Sequence, residues 1–416
     1  MVRADFLIRN AREILTCAGR GPLAGPRQSQ VSAIPDASLA ALDGTIVFVG
    51  PAADAAAQVT LMPDAVVIDA EDHAVVPGFV DAHTHAVFAG DRRSELRRRL
   101  AGATYAEIAA GGGGIISTVR ATREATEEQL VAQSRPRLDE MLASGTTTCE
   151  IKSGYGLDVA SELRMLRAIA TLQHQHPLDV VATFMGAHEV PTEFRDRRSE
   201  YVELVVQEMI PAVAAEKVAT WCDVFCEAGV FSPDDSRRIL QAGMRHGLKA
   251  RIHADELGAS GGSQVAAQVG ARSADHLIFV PDDGITALAS AGVVATLLPN
   301  AAFYLKLGRF APARKLIDAG VPVALATDIN PGGGFSPSMP FAIALACFGM
   351  NMTFEEALVA ATSNGAWSLD LGDRVGSLEM DKLADAVIVR GEAINLIRMG
   401  APSIAHVVKR GRPVGH

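Results

Sequence analysis

Val76-Pro77-Gly78-Phe79-Val80-Asp81-Ala82-His83-Thr84-His85 marks the point where the texture of this chain changes. A short apolar run ends in two histidines spaced i, i+2. Side chains on a strand alternate faces, so His83 and His85 point the same way from the carboxyl end of a predicted strand over 80–87. Two neutral imidazoles converging from one rigid strand begin a transition-metal site. A lone His-x-His pair is common by chance and reads equally as two surface histidines. Its weight here comes from His253, His276 and Asp328 far downstream, each at the end of its own apolar run.

Downstream of this stretch, near-continuous apolar runs recur at 80–87, 146–153, 180–188, 222–227, 249–255, 274–280, 293–299 and 323–328. Helical stretches at 160–174, 200–215, 234–247 and 262–269 lie between them. Strands that do not alternate in polarity are buried on both faces, which is the mark of a parallel sheet with helical crossovers. Eight such strands predict a closed (β/α)8 barrel of the TIM type over residues 78–372. Upstream, residues 1–77 read as short alternating strands with turns, and residues 373–416 resume that texture. Both ends are expected to build one small β-sandwich domain, discontinuous in sequence. The Gly-, Pro-, Ser- and Gln-rich segment 19–36 reads as an exposed loop.

Composition narrows the function classes. The chain has 416 residues, 49% of them hydrophobic, with a net charge of −10 from 38 Lys+Arg and 48 Asp+Glu. No long basic run offers a nucleic-acid surface, whereas a small anionic substrate needs only one local arginine. No apolar stretch approaches the roughly 20 residues that span a bilayer, and the first residues carry no signal-peptide core. Cys17, Cys149, Cys222, Cys226 and Cys347 include no C-x-x-C pair, so reduced thiols in a cytoplasmic protein are expected.

In a barrel of this kind the active site sits at the carboxyl ends of the strands. His83, His85, Ser153, Tyr155, His188, Glu227, His253, Glu256, His276 and Asp328 all fall at or just past those ends. His83, His85 and His253 supply three nitrogen donors and Asp328 a carboxylate oxygen, a set that suits one Zn²⁺ or Fe²⁺ and leaves room for a water. Asp328 is placed to accept that water's proton. Glu256 could carry protons to a substrate nitrogen, and His276 could orient the attacking water or stabilise a developing oxyanion. Glu227 reads as structural, since the metal shell is already filled. No lysine ends the fourth strand, which argues against a lysine-bridged two-metal site. Gly111–Gly114 lacks the Lys-Ser/Thr of a phosphate loop and reads as a mobile loop or a linker. Arg92 reads equally as a carboxylate grip and as one solvated charge among several, while Tyr155 in its turn favours binding.

The chain resembles the amidohydrolase superfamily, and within it the imidazolonepropionases. The resemblance rests on Asp81-Ala-His-Thr-His85, Gly90-Asp-Arg92, Glu150-Ile-Lys-Ser-Gly-Tyr-Gly-Leu157, Gly186-Ala-His188, His253-Ala-Asp-Glu256, Ser273-Ala-Asp-His276 and Ala326-Thr-Asp-Ile-Asn-Pro-Gly332. It implies a zinc- or iron-dependent hydrolase, usually a cytoplasmic homodimer, that opens an imidazolone ring in histidine degradation. By the same resemblance Arg92, Tyr155 and His188 hold the propionate and ring, Asn330 and Gly332 bind the product-like end, and Glu256 and His276 form the acid/base pair. Many members carry Ser or Thr where this chain has Gly333. That hydroxyl contact then moves to a backbone N–H or to Ser336, or the substrate differs. A deaminase of the same superfamily acting on a related nitrogen heterocycle is the competing reading.

Overall fold

The computed structural model describes residues 1–103, 107 and 113–414. Five strands come first: β1 (Val2–Leu15), β2 (Ala33–Leu42), β3 (Thr45–Pro51), β4 (Val59–Asp69) and β5 (Ala74–Pro77). Alternation in β1 buries Ala4, Phe6 and Ile8. Asp43 and Gly44 join β2 to β3, both at positive φ (49° and 78°), which suits the twist of a tight hairpin. β2 runs antiparallel along one edge of β1, while β4 and β5 run parallel along successive parts of the other.

The barrel follows as β6 (Phe79–Asp81), β7 (Thr146–Lys152), β8 (Asp179–Ala187), β9 (Trp221–Cys226), β10 (Lys249–Ala254), β11 (Ser273–His276), β12 (Val294–Leu297) and β13 (Val323–Leu325). These eight strands are parallel and neighbour one another in sequence order. All eight predicted strands are present, each near its expected position. The last three strands, β14 (Ala386–Val389), β15 (Ile404–Lys409) and β16 (Arg412–Val414), return to the first sheet by pairing β14 on β5. That mixed sheet, built from both ends of the chain, wraps a core of Phe6, Ile8, Ile14, Leu39, Ile46, Val75, Ile388 and Val408.

Three expectations need correction. β6 ends at Asp81 rather than Val87, so His83 and His85 lie on an extended segment beyond the strand. Past Asp81 the backbone bonds across the barrel seam: His85 N–H donates to Ile329 O at 2.9 Å, and Asp328 N–H donates to His83 O at 3.1 Å. The Thr327 N–H also donates to Asp81 Oδ1 at 2.9 Å. The seam between first and last strands therefore closes at the histidine pair itself.

The segment 19–36 is an exposed loop only in part. Gly25–Ser29 forms a 3-10 turn that buries Leu23 and Gln28, and β2 already begins at Ala33. The Gln28 amide accepts from Val323 N–H and donates to Val323 O, both at 3.0 Å, and so satisfies the free edge at the start of β13.

The predicted helix over 200–215 is Arg198–Leu204 and Ile210–Glu216 with a π-helical turn, Val205–Met209, between them. Pro211 has no N–H to return to Gln207, which accounts for the local widening. Among the described residues no helix is long and apolar enough to cross a membrane.

Candidate metal centre and active site

His83, His85 and His253 bring three ring nitrogens within 4.8 Å of one another, and His83, His276 and Asp328 form a second such group. The two groups share His83. All five side chains are buried. His83 Nε2 and His85 Nε2 lie 3.6 and 3.7 Å from the same Asp328 oxygen, Oδ1. Among the described residues His83 Nε2, His253 Nε2 and Asp328 Oδ1 have no hydrogen-bond partner. Buried polar atoms are almost always satisfied, so three such atoms facing one point fit a cation between them. Asp328 and His276 also hold φ at 51° and 73°, a left-handed conformation that bulky residues seldom adopt.

The outer face of the cluster fixes ring orientation. His83 Nδ1 lies 2.6 Å from Asp275 Oδ2, and His253 Nδ1 lies 3.1 Å from Asp223 Oδ1. A carboxylate accepts from the Nδ1 proton and leaves the Nε2 lone pair free, which is the tautomer a metal requires. Sequence reasoning missed both aspartates.

Electrostatics hold His83, His85 and His276 neutral. Burial, then the Lys152 charge, holds His83 well below the usual histidine range. Burial and the neighbouring His188 do the same to His85, and burial with His253 to His276. Burial pushes the Asp328 carboxyl well up, with the Glu256 charge adding to it. A cation beside Asp328 would reverse that shift. Glu256 is raised to about 7, chiefly by burial, and its Oε1 lies 3.6 Å from His276 Nδ1.

These groups face a cavity of about 510 Å³ whose wall also includes Arg92, Tyr155, His188, Asn330, Gly332 and Gly333. Of the residues expected to bind metal or substrate or to move protons, all but His83 line it, whereas Ser153 and Glu227 from the same strand ends do not. His188 Nδ1 bonds Gly154 O at 3.0 Å, and its ring stacks on His85 at 4.8 Å between centroids. Arg92 is buried and grips Glu95, its Nε and Nη2 each 2.8 Å from Glu95 Oε2. The other Glu95 oxygen accepts from Gly114 N–H at 2.8 Å. Arg99, to which the sequence assigned no role, is buried at the wall and donates to Gly332 O at 3.0 Å and Tyr304 O at 3.1 Å.

Asn330 spends its amide within its own loop. Its Oδ1 accepts from Gly332 N–H at 2.9 Å and Gly333 N–H at 2.6 Å, and its Nδ2 donates to Asp328 O at 2.7 Å. The Gly333 N–H is thus already engaged, and Ser336 lies outside the cavity wall. Glu227 accepts from the N–H groups of Ala228 and Leu257 at 2.9 Å each, so it shapes the turn that carries Glu256. Of the Gly111–Gly114 loop, Gly111 and Gly112 lie outside the described residues.

The amidohydrolase family model matches residues 74–414. A curated imidazolonepropionase of Symbiobacterium thermophilum is 51% identical over 98% of this chain and 96% of its own length. That of Parabacteroides distasonis is 46% identical over 99% of both. Solved structures share the fold at lower identity. A zinc-bound adenosine deaminase from Xanthomonas campestris superposes with a TM-score of 0.69 at 20% identity, over 99% of this chain and 93% of that one. A triazine hydrolase variant reaches 0.73 at 18% identity, over 98% and 94%. This chain belongs to the amidohydrolase family, and within it to the imidazolonepropionase family.

Proposed function

We propose that this chain hydrolyses the ring C–N amide bond of 4-imidazolone-5-propanoate to N-formimidoyl-L-glutamate, as a cytoplasmic homodimer in histidine degradation. The observation that carries this reading is full-length kinship with imidazolonepropionases, joined to a cavity that holds both a histidine–aspartate cluster and a buried arginine.

His83, His85, His253 and Asp328 would hold one divalent ion, zinc or iron, since imidazole and carboxylate donors suit both. Such an ion acidifies water and polarises a carbonyl. Arg92, locked by Glu95, presents a guanidinium that binds the propionate carboxylate. Tyr155 and His188 pack the ring, and the Gly154 carbonyl orients His188 so that Nε2 faces the cavity. Asp328 takes a proton from the attacking water. The ring carbonyl carbon gains that oxygen and loses its bond to nitrogen. Glu256, protonated to about pH 7, delivers a proton to the departing nitrogen. His276, whose Nδ1 lies 3.6 Å from Glu256 Oε1, donates to the developing oxyanion. Gly332 and Gly333 close the far wall against the product-like end.

Freshly prepared 4-imidazolone-5-propanoate, followed by its ultraviolet absorbance, tests the reading. Wild type should consume it and yield N-formimidoyl-glutamate without ammonia, and Asp328→Ala should not. No turnover by metal-replete wild type would overturn the substrate, and ammonia release would point to a deaminase.

A further inference from the structure

Behind the histidine cluster a buried polar path links the barrel strands. Thr84, between His83 and His85, donates its N–H to Glu150 Oε2 at 3.2 Å and its hydroxyl to Glu150 O at 2.7 Å. The other Glu150 oxygen lies 2.8 Å from Lys152 Nζ. Lys152 reaches 2.8 Å further to Asp223 Oδ2, and Asp223 Oδ1 faces His253 Nδ1. Thr84, Glu150, Lys152, Asp223 and His253 thus form one unbroken chain from the segment after the first barrel strand to the fifth strand.

Lys152 has no exposed surface and does not line the cavity. A buried ammonium is costly unless it is paired, and this one is paired twice. Burial opposes its charge, yet Asp223 and Glu150 outweigh that and raise its pKa. The two aspartates behind the histidines depend on it unequally. Asp275 lies 3.8 Å from Lys152 but also has Arg251 at 3.3 Å and the Ser273 hydroxyl at 2.6 Å. Among the described residues Lys152 is the one lysine or arginine within ion-pair distance of Asp223.

We propose that Lys152 is a positioning residue that sets His253 against the His83–His85 segment, acting through Asp223 on one side and Glu150 on the other. The inference rests on the metal reading above. It assigns Lys152 no contact with substrate. Its effect is on how the ligand set is spaced and which His253 nitrogen carries the proton.

Zinc affinity, by competition with a chromophoric chelator, and histidine ¹⁵N spectra of the metal-free protein test this together. Lys152→Met should weaken zinc binding about 10- to 100-fold. It should also mix the tautomers of His253 while His83, held by Asp275, keeps its Nδ1 proton. A role in stability alone would lower the melting temperature and leave both readouts in place. Zinc affinity within about threefold of wild type, with His253 unchanged, overturns the proposal. Where Lys152→Met does not fold, Lys152→Met/Glu150→Gln removes both members of one buried pair, and the same two shifts are expected. Wild type that binds neither zinc nor iron overturns the metal centre, which distinguishes that failure from this one.

Discussion

His83 Nδ1 and Asp275 Oδ2 stand 2.6 Å apart with both side chains fully buried. Asp275→Asn replaces an acceptor by an amide that can turn its N–H₂ towards the ring and force the proton onto Nε2. In that tautomer the lone pair sits on Nδ1, facing residue 275, and Nε2 has none to offer a metal. Metal affinity is expected to fall about 10- to 100-fold, read as metal retained per protein after dialysis against a chelator. Full retention would show that Asp275 does not set the tautomer.

Arg92 is expected to act on binding rather than on the chemical step. Loss of charge-assisted hydrogen bonds to a carboxylate costs about 1.5–3 kcal/mol each, so Arg92→Ala should raise KM by about 10²-fold or more with a smaller effect on kcat. Glu95→Gln should move KM in the same direction but less, because Glu95 fixes the guanidinium from behind. Steady-state kinetics on both variants checks this. An unchanged KM in Arg92→Ala would mean that the propionate is held elsewhere, with Arg99 the nearest alternative at the same wall.

Much of this site was legible in the chain because barrel topology brings strand ends to one mouth, whatever their distance in sequence. The supporting charges were less visible. Glu150/Lys152, Arg251/His253 and Ser273/Asp275 are polar pairs at i, i+2 in buried strands, which places each pair on one face of its strand. That spacing is the same signal as His83/His85, but it was read only where a histidine led. Segment 19–36 departs from expectation at Leu23 and Gln28, because its Gly and Pro content signals turns but not burial. Gln28 is buried because β13 needs a partner at its start, a tertiary demand that no local pattern records.

Glu256 links pH to both activity and stability. Its pKa rises from 4.5 to about 7, mainly through burial. As the proton donor it is competent below about 7, so kcat should decline as pH rises through that value. Glu256→Gln should remove this limb and lower kcat by about 10²- to 10⁴-fold. For stability the sign is fixed by the raised value. The folded protein holds a proton that the unfolded chain releases, so stability is lost as pH climbs from 4.5 to about 7. In the metal-free protein Glu256→Gln should therefore raise the melting temperature at pH 8 and leave it nearly unchanged at pH 4. A uniform shift at both values would show that desolvation of Glu256 is not the cause.

Gly333 and Gly334 are adjacent but should respond oppositely to substitution. A Cβ on Gly334 would collide with the carbonyl of Asp328, in the backbone that sets the carboxylate's position. Gly334→Ala should lose metal and activity together. The nearest atoms a Cβ on Gly333 would meet belong to the Leu305 side chain, at 3.1 Å, and its φ is not in the left-handed region. Leu305 is half-buried at the mouth and can yield. Gly333→Ser, which restores the hydroxyl common in the family, should keep its metal and fold normally. A new hydroxyl at the product-like end adds about one neutral hydrogen bond, which lowers KM by about two- to tenfold. Kinetics and metal content on the two variants decide the matter. A raised KM in Gly333→Ser would mean that substrate packs against the glycine itself, and that this chain has a differently shaped pocket from relatives with the hydroxyl.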